Sequence, residues 1–215
     1  MLFDLDGTIT EPAEGITNAI IYALQRFGME IPERTSLYKF IGPPLRDSFR
    51  EFCGFPDEKA EQAVLFYREY YGKRGILENG IMPGMEDALR RLKAAGCHLY
   101  VATSKPEQFA KQILEYLDLS DYFDIVAGSL MDGTRDKKEL VIGYLLSEMG
   151  VNNEASILHD IVMVGDRKFD IIGAQHFGMD NIGVTFGYGD REEFLECHAM
   201  KIVDTAEELV DYILS

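Results

Sequence analysis

The chain has 215 residues, of which 47% are apolar and 27% are charged, so it can build one large domain or a domain with an insert. The formal net charge of −16 makes nucleic acids and anionic membrane surfaces poor partners. We expect a cytoplasmic protein, because the sequence shows no membrane-length apolar run, no leader pattern and only three scattered cysteines.

The first part of the chain predicts a short strand followed by a helical block. A short apolar run leads into "DLDGT" at residues 4–8 and predicts the first strand. Apolar residues then recur at helical spacing from Ile16 to Phe27, and Gly28 is placed to end that helix. Two more helices are predicted in "PPLRDSFREFCG" and from Asp57 to about Tyr71. Residues 11–78 are therefore predicted to be entirely helical.

Strands and helices alternate through the rest of the chain. The predicted elements, in order, are helix 83–96, strand 97–104, helix 107–117, strand 123–128, helix 137–150, strand 160–165, helix 168–178, strand 181–186 and helix 205–214. Alternation of this kind predicts βαβ units and a parallel sheet. The sequence thus favours an α/β domain made of residues 1–10 and 79–215, with the helical block inserted after the first strand.

Residues that carry chemistry follow several of the predicted strands. Parallel sheets place their functional groups at the carboxyl ends of the strands, so these residues are expected at one edge. They are two acids after the first strand, two hydroxyls after the next, a second pair of acids, and a lysine at a helix start: Asp4, Asp6, Thr103, Ser104, Asp166, Asp170 and Lys138.

Several carboxylates that meet at one pocket repel each other unless a cation lies between them. Mg²⁺ fits best, because it accepts a few carboxylates and also binds phosphate oxygens. Such an ion can keep Asp4 ionised as a nucleophile, while Asp6 takes or gives a proton. Together with Lys138 and the Thr103 hydroxyl, the ion could supply the positioning and charge neutralisation that phosphoryl transfer needs.

The ordered motifs resemble those of the haloacid dehalogenase superfamily. They are "DLDGT", the strand end "VATS", Lys138 within "DGTRDKKEL", and "GDRKFD". The resemblance implies a Rossmann-like parallel sheet core with an all-helical cap domain. It also implies that Asp4 is phosphorylated, that Asp6 is the general acid and base, and that the metal is held by Asp4, the Asp6 carbonyl and Asp166, with Asp170 at or beside the metal site.

Details of the motifs favour one branch of that superfamily. Dehalogenase members lack an acid at the position of Asp6, and mutase members usually have histidine where this chain has Ile16. The stretches "EPAEGITNAIIYALQRFG" and "KFIGPPLRDSF" look most similar to phosphoglycolate phosphatase-like members, and among them to those described as 5′-nucleotidases. In the second stretch, Lys39 and Arg46 are candidates for substrate specificity, or else ordinary surface charges.

The main motifs also allow other interpretations. A calcium loop starting at Asp4 fails, because its sixth and twelfth positions are Ile9 and Gly15. Asp170 could simply cap a helix, and Lys138 could lie on a solvated face. We expect a Mg²⁺-dependent phosphatase, a monomer or weak dimer, that hydrolyses a nucleoside monophosphate or a phosphoglycolate-like ester through an aspartyl-phosphate. The alternatives are a sugar phosphomutase and a non-catalytic, metal-dependent binding module.

Overall fold

The structure is a computed structural model that describes residues 1–151 and 158–215. The chain forms two compact units. One combines Met1–Thr10 with Ile81–Ser215 and is called the sheet unit below, and the other, Glu11–Gly80, is called the inserted unit. Among the described residues, no helix has both the length and the apolar character that crossing a membrane requires.

A six-stranded parallel sheet organises the sheet unit. Its strands are β1 (Leu2–Phe3), β4 (Tyr100–Pro106), β5 (Ile125–Ser129), β6 (Val162–Gly165), β7 (Asp180–Val184) and β8 (Lys201–Val203). Their order is β5-β4-β1-β6-β7-β8, so the short first strand is central. β2 (Thr10–Glu11) and β3 (Gly80–Ile81) pair in a separate two-stranded sheet.

The inserted unit is built from helices of three kinds. They are α1 (Ala13–Arg26), a 3₁₀ helix (Arg34–Phe40), α2 (Leu45–Cys53), α3 (Asp57–Tyr70) and a π-helical turn (Tyr71–Gly75). Gly28 follows α1 with φ of +66°, and its N–H donates to the carbonyl of Gln25 at 2.9 Å, as its predicted role at the helix end requires. Aromatic contacts fill the interior, for example the stacked rings of Tyr67 and Tyr71, whose centroids are 5.2 Å apart.

Helices of the sheet unit connect and cover the strands. They are α4 (Met85–Ala94), α5 (Glu107–Tyr116), a 3₁₀ turn (Ser120–Tyr122), α6 (Lys138–Glu148), α7 (Lys168–His176), α8 (Arg191–Glu196) and α9 (Ala206–Leu214). Val141 and Leu145 of α6 pack against Leu2, Ala102 and Met163 of the central strands, and all five are fully buried. This apolar layer fixes the start of α6 beside the carboxyl ends of β1 and β4.

The predicted α/β class and the main elements after residue 80 are confirmed. Among the described elements, the sequence did not predict the strands β2, β3 and β8, the short helix α8 or the 3₁₀ turn Ser120–Tyr122. Glu11 of β2 lies in the block predicted to be entirely helical, so that prediction is wrong at its first residue. The predicted helix that begins at Asp57 ends at Tyr70, one residue before the expected position, and continues as the π-helical turn.

Candidate active site

The three central strands bring their carboxyl ends together at one edge of the sheet. β1 lies between β4 and β6, and all three run in the same direction. The N–H of Asp4 donates to the carbonyl of Val164 at 2.9 Å, which continues the ladder past the end of β1. Leu2 and Phe3 are fully buried, so this strand is anchored on both faces. Asp4 therefore enters the site from a rigid position in the middle of the sheet.

Three buried carboxylates form what we call the acid cluster. Asp4, Asp166 and Asp170 each offer an oxygen that lies within 4.8 Å of the other two. Their side chains have almost no contact with solvent, since the residues are 6%, 0% and 1% exposed. Carboxylates are seldom buried without compensating charge, so this arrangement needs a cation.

Lys138, the first residue of α6, supplies part of that charge. Its Nζ donates to Asp4 Oδ1 and to the carbonyl of Ala102, both at 2.8 Å, and lies 2.7 Å from Asp170 Oδ1. The lysine side chain is 4% exposed, so the interpretation of Lys138 as a solvated surface residue does not hold. Three carboxylates against one ammonium leave an excess of two negative charges when all three are ionised.

The pKa values of the acid cluster are shifted in the directions expected from this excess of negative charge. Burial raises the pKa of Asp170 to about 6 although Lys138 opposes the shift, and the charge of Asp4 adds to it. Burial also raises the pKa of Asp166, helped by the charges of Asp4 and Asp170. Burial by itself lowers the pKa of Lys138, but the charges of Asp170 and Asp4 outweigh it and the pKa is raised. The three acids therefore keep Lys138 protonated, while one ammonium does not neutralise the negative charge of all three acids.

The donor set of the acid cluster fits a hard divalent cation. All three side chains offer oxygen, and neither imidazole nor thiolate belongs to the cluster. Oxygen ligands, buried negative charge and space between carboxylates are what Mg²⁺ requires, whereas zinc sites favour nitrogen and sulfur. Asp4, Asp166 and Asp170 could therefore hold such an ion.

Close backbone approach shapes the surroundings of Asp166. Gly7 has φ of +84°, and a Cβ atom there would overlap Asp166 Oδ2, so this position requires glycine on both counts. The N–H of Tyr188 donates to Asp166 Oδ2 at 2.8 Å, and the Thr8 hydroxyl donates to Oδ1 at 3.4 Å. Asp166 is thus oriented from two loops.

Asp170 combines the two roles considered for it from the sequence. Its Oδ2 accepts a hydrogen bond from the N–H of Arg167 at 3.1 Å, which caps the first turn of α7. Its Oδ1 faces Lys138 in the acid cluster. The residue therefore caps a helix and contributes a carboxylate to the site.

Asp6 lies outside the acid cluster, although it is only two residues from Asp4. Its Oδ2 forms an ion pair with Lys105 of β4, and its Oδ1 accepts a hydrogen bond from Thr10 at 3.4 Å. Burial raises the pKa of Asp6, against the opposing effect of Lys105. Sequence reasoning missed Lys105, although its position two residues after Thr103 places both side chains on one side of an extended strand.

The two predicted hydroxyls lie on the same strand. Thr103 is 2% exposed, and its Oγ1 accepts a hydrogen bond from the N–H of Lys105 at 3.2 Å. Ser104 is half-buried on the next position. Asp4, Thr103, Lys138, Asp166 and Asp170 all belong to the sheet unit, and the strand order places the ends of β1, β4 and β6 side by side.

Lys39 and Arg46 belong to the inserted unit. The Lys39 ammonium lies 4.5 Å from the centroid of the Phe52 ring, and Arg46 forms a 3.2 Å ion pair with Glu61. Half of the Arg46 side chain is exposed. Their part in substrate specificity stays a prediction.

The sequence model of the family described as haloacid dehalogenase-like hydrolase matches residues 1–184. This match covers most of the chain and includes the acid cluster, Asp6, Lys105 and Lys138. The chain belongs to the haloacid dehalogenase-like hydrolase family.

Known proteins similar to this chain carry enzyme names. A 5′-nucleotidase from Pseudomonas aeruginosa is 42% identical over 193 residues, which cover 90% of this chain and 85% of that protein. The tyrosine-protein kinase PtkA of Mycobacterium tuberculosis is 36% identical over 206 residues, 96% of this chain and 68% of that protein. The crystal structure of a predicted phosphatase from Clostridium acetobutylicum shares 44% identity and a TM-score of 0.93, over 99% of this chain and 96% of that one.

The predicted resemblance to this family is therefore confirmed. The predicted class of enzyme, a phosphatase of the haloacid dehalogenase type, is confirmed by the family match together with the names of the similar proteins.

Proposed function

We propose that this enzyme is a Mg²⁺-dependent phosphatase that hydrolyses a small phosphomonoester through a phosphorylated Asp4. The observation that carries the proposal is the acid cluster with Lys138 at the carboxyl ends of three adjacent parallel strands. A buried carboxylate with a cation site beside it can approach a negatively charged ester, which an isolated carboxylate cannot do.

In the first proposed step, a carboxylate oxygen of Asp4 attacks phosphorus. A bond forms between that oxygen and phosphorus while the bond from phosphorus to the leaving oxygen breaks, and the leaving oxygen receives a proton from Asp6. Lys138 holds Asp4 in place through its 2.8 Å hydrogen bond. We assign the Thr103 hydroxyl and Lys138 to the phosphoryl oxygens, with Ser104 as a further donor.

In the second proposed step, water replaces Asp4 on phosphorus. Asp6, now a carboxylate, takes a proton from the water, the water oxygen bonds to phosphorus, and the bond to Asp4 breaks. Inorganic phosphate leaves, and both aspartates return to their starting states. The buried position of Asp4 keeps other nucleophiles away from the acyl-phosphate.

We assign the Mg²⁺ site to Asp4, Asp166, Asp170 and the main-chain carbonyl of Asp6. When bound, the ion would neutralise part of the negative charge that the acids and the phosphoryl group share. The excess negative charge of the acid cluster and its all-oxygen donor set support this assignment.

We propose a nucleoside monophosphate or a phosphoglycolate-like ester as the substrate. The 42% identity to a protein named 5′-nucleotidase supports the first class. We assign the inserted unit, Glu11–Gly80, to a cap that selects the leaving group, with Lys39 and Arg46 as its specificity residues. Phosphate release should be measured across nucleoside monophosphates, phosphoglycolate and sugar phosphates, for the wild type and for Lys39→Ala and Arg46→Ala.

The covalent step has a direct test. The wild-type enzyme is mixed with a good substrate and Mg²⁺, quenched in acid, digested, and analysed by mass spectrometry. One phosphoryl group is expected on the peptide that contains Asp4, and none in Asp4→Asn. Turnover that persists in Asp4→Asn would refute the mechanism.

Assays of isomerisation, binding and phosphate transfer would distinguish the other candidate functions. A phosphomutase would isomerise a sugar phosphate faster than it releases phosphate, and a binding module would bind Mg²⁺ and ester without turnover. A tyrosine kinase activity, which the name of PtkA suggests for that protein, would require transfer of phosphate from ATP to tyrosine. We expect phosphate release to dominate over transfer to tyrosine or sugar.

A further inference from the structure

We propose that Lys105 is a positioning residue that keeps the Asp6 carboxyl out of the acid cluster and free to serve the leaving oxygen. This inference rests on the proposed function, in which Asp6 exchanges protons with the leaving group and with water. It concerns a lysine that neither the sequence motifs nor the proposed mechanism assigns.

Asp4 and Asp6 lie in different surroundings although they are close in sequence. Asp4 and Asp6 are two residues apart, yet only Asp4 belongs to the acid cluster. The Asp6 side chain is 13% exposed and that of Lys105 is 6% exposed, so their ion pair is nearly buried. The ion pair with Oδ2 therefore orients the Asp6 carboxyl away from the acid cluster.

The strand segment around Lys105 has an irregular backbone. The pairing of β4 with β5 shifts register between Ala102 and Pro106, so β4 departs from a regular strand where Lys105 lies. The N–H of Lys105 donates to the Thr103 hydroxyl at 3.2 Å, which ties the lysine to a proposed phosphate ligand.

The neighbouring strand supports the same segment. A Cβ atom on Gly128 would collide with the carbonyl of Lys105, so glycine lets the two backbones approach. The Arg135 Nε donates to the carbonyl of Gly128 at 2.7 Å, and the same guanidinium donates to Glu107 Oε2 at 2.8 Å. Arg135 thus supports the strand beside Lys105.

Removing the charge of Lys105 would weaken the contacts that hold the Asp6 carboxylate. Among the described residues, the Asp6 side chain then keeps one hydrogen bond, from the Thr10 hydroxyl at 3.4 Å. A divalent ion in the acid cluster would attract it as a further ligand, and an acid bound in that way cannot reach the leaving oxygen. Binding of the ion is then preserved while proton transfer is lost.

The experiment compares two substrates that differ in their need for a proton. p-Nitrophenyl phosphate releases a stable anion, whereas an alkyl phosphomonoester such as glycerol 2-phosphate requires protonation of its leaving oxygen. We expect Lys105→Gln to reduce kcat for the alkyl ester about tenfold or more beyond its effect on p-nitrophenyl phosphate. KM should change little for either substrate, and Lys105→Arg should recover most of the loss.

Mg²⁺ titration calorimetry on the substrate-free protein supplies a readout independent of turnover. Lys105→Gln is expected to bind Mg²⁺ at least as tightly as the wild type. Lys111→Gln is the matched control, because it removes the same charge from an exposed lysine that pairs with Glu107 on α5. The control should leave the ratio of the two kcat values unchanged.

Several results would overturn the inference. An equal loss on both substrates with a raised KM would make Lys105 a phosphate ligand, and weaker Mg²⁺ binding would make it part of the metal site. If Lys105→Gln has the kcat and KM values of the wild type, Lys105 has no role in the reaction. If Lys105→Gln does not fold, the double variant Asp6→Asn/Lys105→Gln, which removes both charges, should match Asp6→Asn in the kcat ratio, and a further change in that ratio would contradict the inference.

Asp6→Asn separates this inference from the proposed function. If Asp6→Asn lowers kcat for neither substrate and leaves their ratio unchanged, the proposed role of Asp6 fails. If Asp6→Asn changes the ratio and Lys105→Gln does not, only the positioning role of Lys105 fails.

Discussion

Two aspartate–lysine pairs lie near the carboxyl ends of β1 and β4, and they differ in what surrounds them. The pair of Asp4 and Lys138 is shared with Asp170 and Asp166, so negative charge is in excess. The pair of Asp6 and Lys105 joins one carboxylate to one ammonium and lies outside the acid cluster. Similar side chains, two residues apart just after the first strand, therefore have different charged neighbours.

This difference shows how one short motif can supply two chemical roles. The first pair remains undercompensated until a cation binds, which suits a nucleophile that must meet an anionic ester. The second pair already places an ammonium beside its carboxylate, which suits a carboxyl that must exchange protons instead of coordinating an ion. The partner of each acid, more than the acid itself, decides its proposed task.

The largest effect is expected from removing the carboxylate of the first pair. Asp4→Asn should lower kcat by about 10⁴-fold or more, since the variant loses the attacking group. Phosphate release from p-nitrophenyl phosphate measures it. Asp6→Asn should retain more activity on this substrate than Asp4→Asn does, and the reverse order would contradict the division of roles between the two pairs.

A smaller loss is expected from removing the lysine of the first pair. Lys138→Gln leaves buried carboxylates without their ammonium, which should cost about 3 kcal/mol of unfolding free energy in metal-free protein and about 10²-fold in kcat. Urea unfolding and phosphate release measure the two effects. Lys137→Gln is the control, because Lys137 is the residue before Lys138 and is exposed. Equal effects of the two variants would contradict a specific role for Lys138.

The charge excess of the first pair also predicts a pH dependence. Because the pKa of Asp170 is raised from 3.8 to about 6 in the folded protein, the proton on this acid stabilises the fold most below pH 4. That stabilisation is lost as pH rises through about 6, so the unfolding free energy of chelator-treated protein should fall by about 1 kcal/mol per pH unit between those values.

Asp170→Asn tests that slope, because the amide cannot titrate. Urea unfolding of chelator-treated wild type and variant, at several pH values from 4 to 7, gives the two slopes. The variant should have a shallower slope, and saturating Mg²⁺ should flatten the wild-type slope as well. Identical slopes in wild type and variant would contradict the proposed charge excess.

Much of the sheet unit was predictable because its strands carry strong local signals. The apolar runs of β5 and β6 and the glycine-ended helices gave the α/β class. Asp4, Thr103 and Asp166 follow predicted parallel strands, so the sequence predicted that they lie along one edge of the sheet. β8 was missed because it is a three-residue edge strand that starts with Lys201, and α8 because Phe194 is its only buried residue.

The second pair could not be predicted, for a different reason. Lys105 and Asp6 are 99 residues apart, and a lysine just after a predicted strand usually lies on a solvated surface. Its burial depends on the register shift of β4 and on the close approach of Gly128, which are tertiary features. Local pattern therefore identifies which residue types lie near the strand ends, while the choice of partners requires the folded chain.

The central claim is that the acid cluster holds one divalent cation, and calorimetric titration of metal-free protein with Mg²⁺ tests it most directly. The wild type should bind one ion per chain, Asp166→Asn should bind at least about tenfold more weakly, and Asp121→Asn, which changes an exposed acid, should match the wild type. Absence of Mg²⁺ binding in the wild type, or equal affinity in Asp166→Asn, would contradict the account.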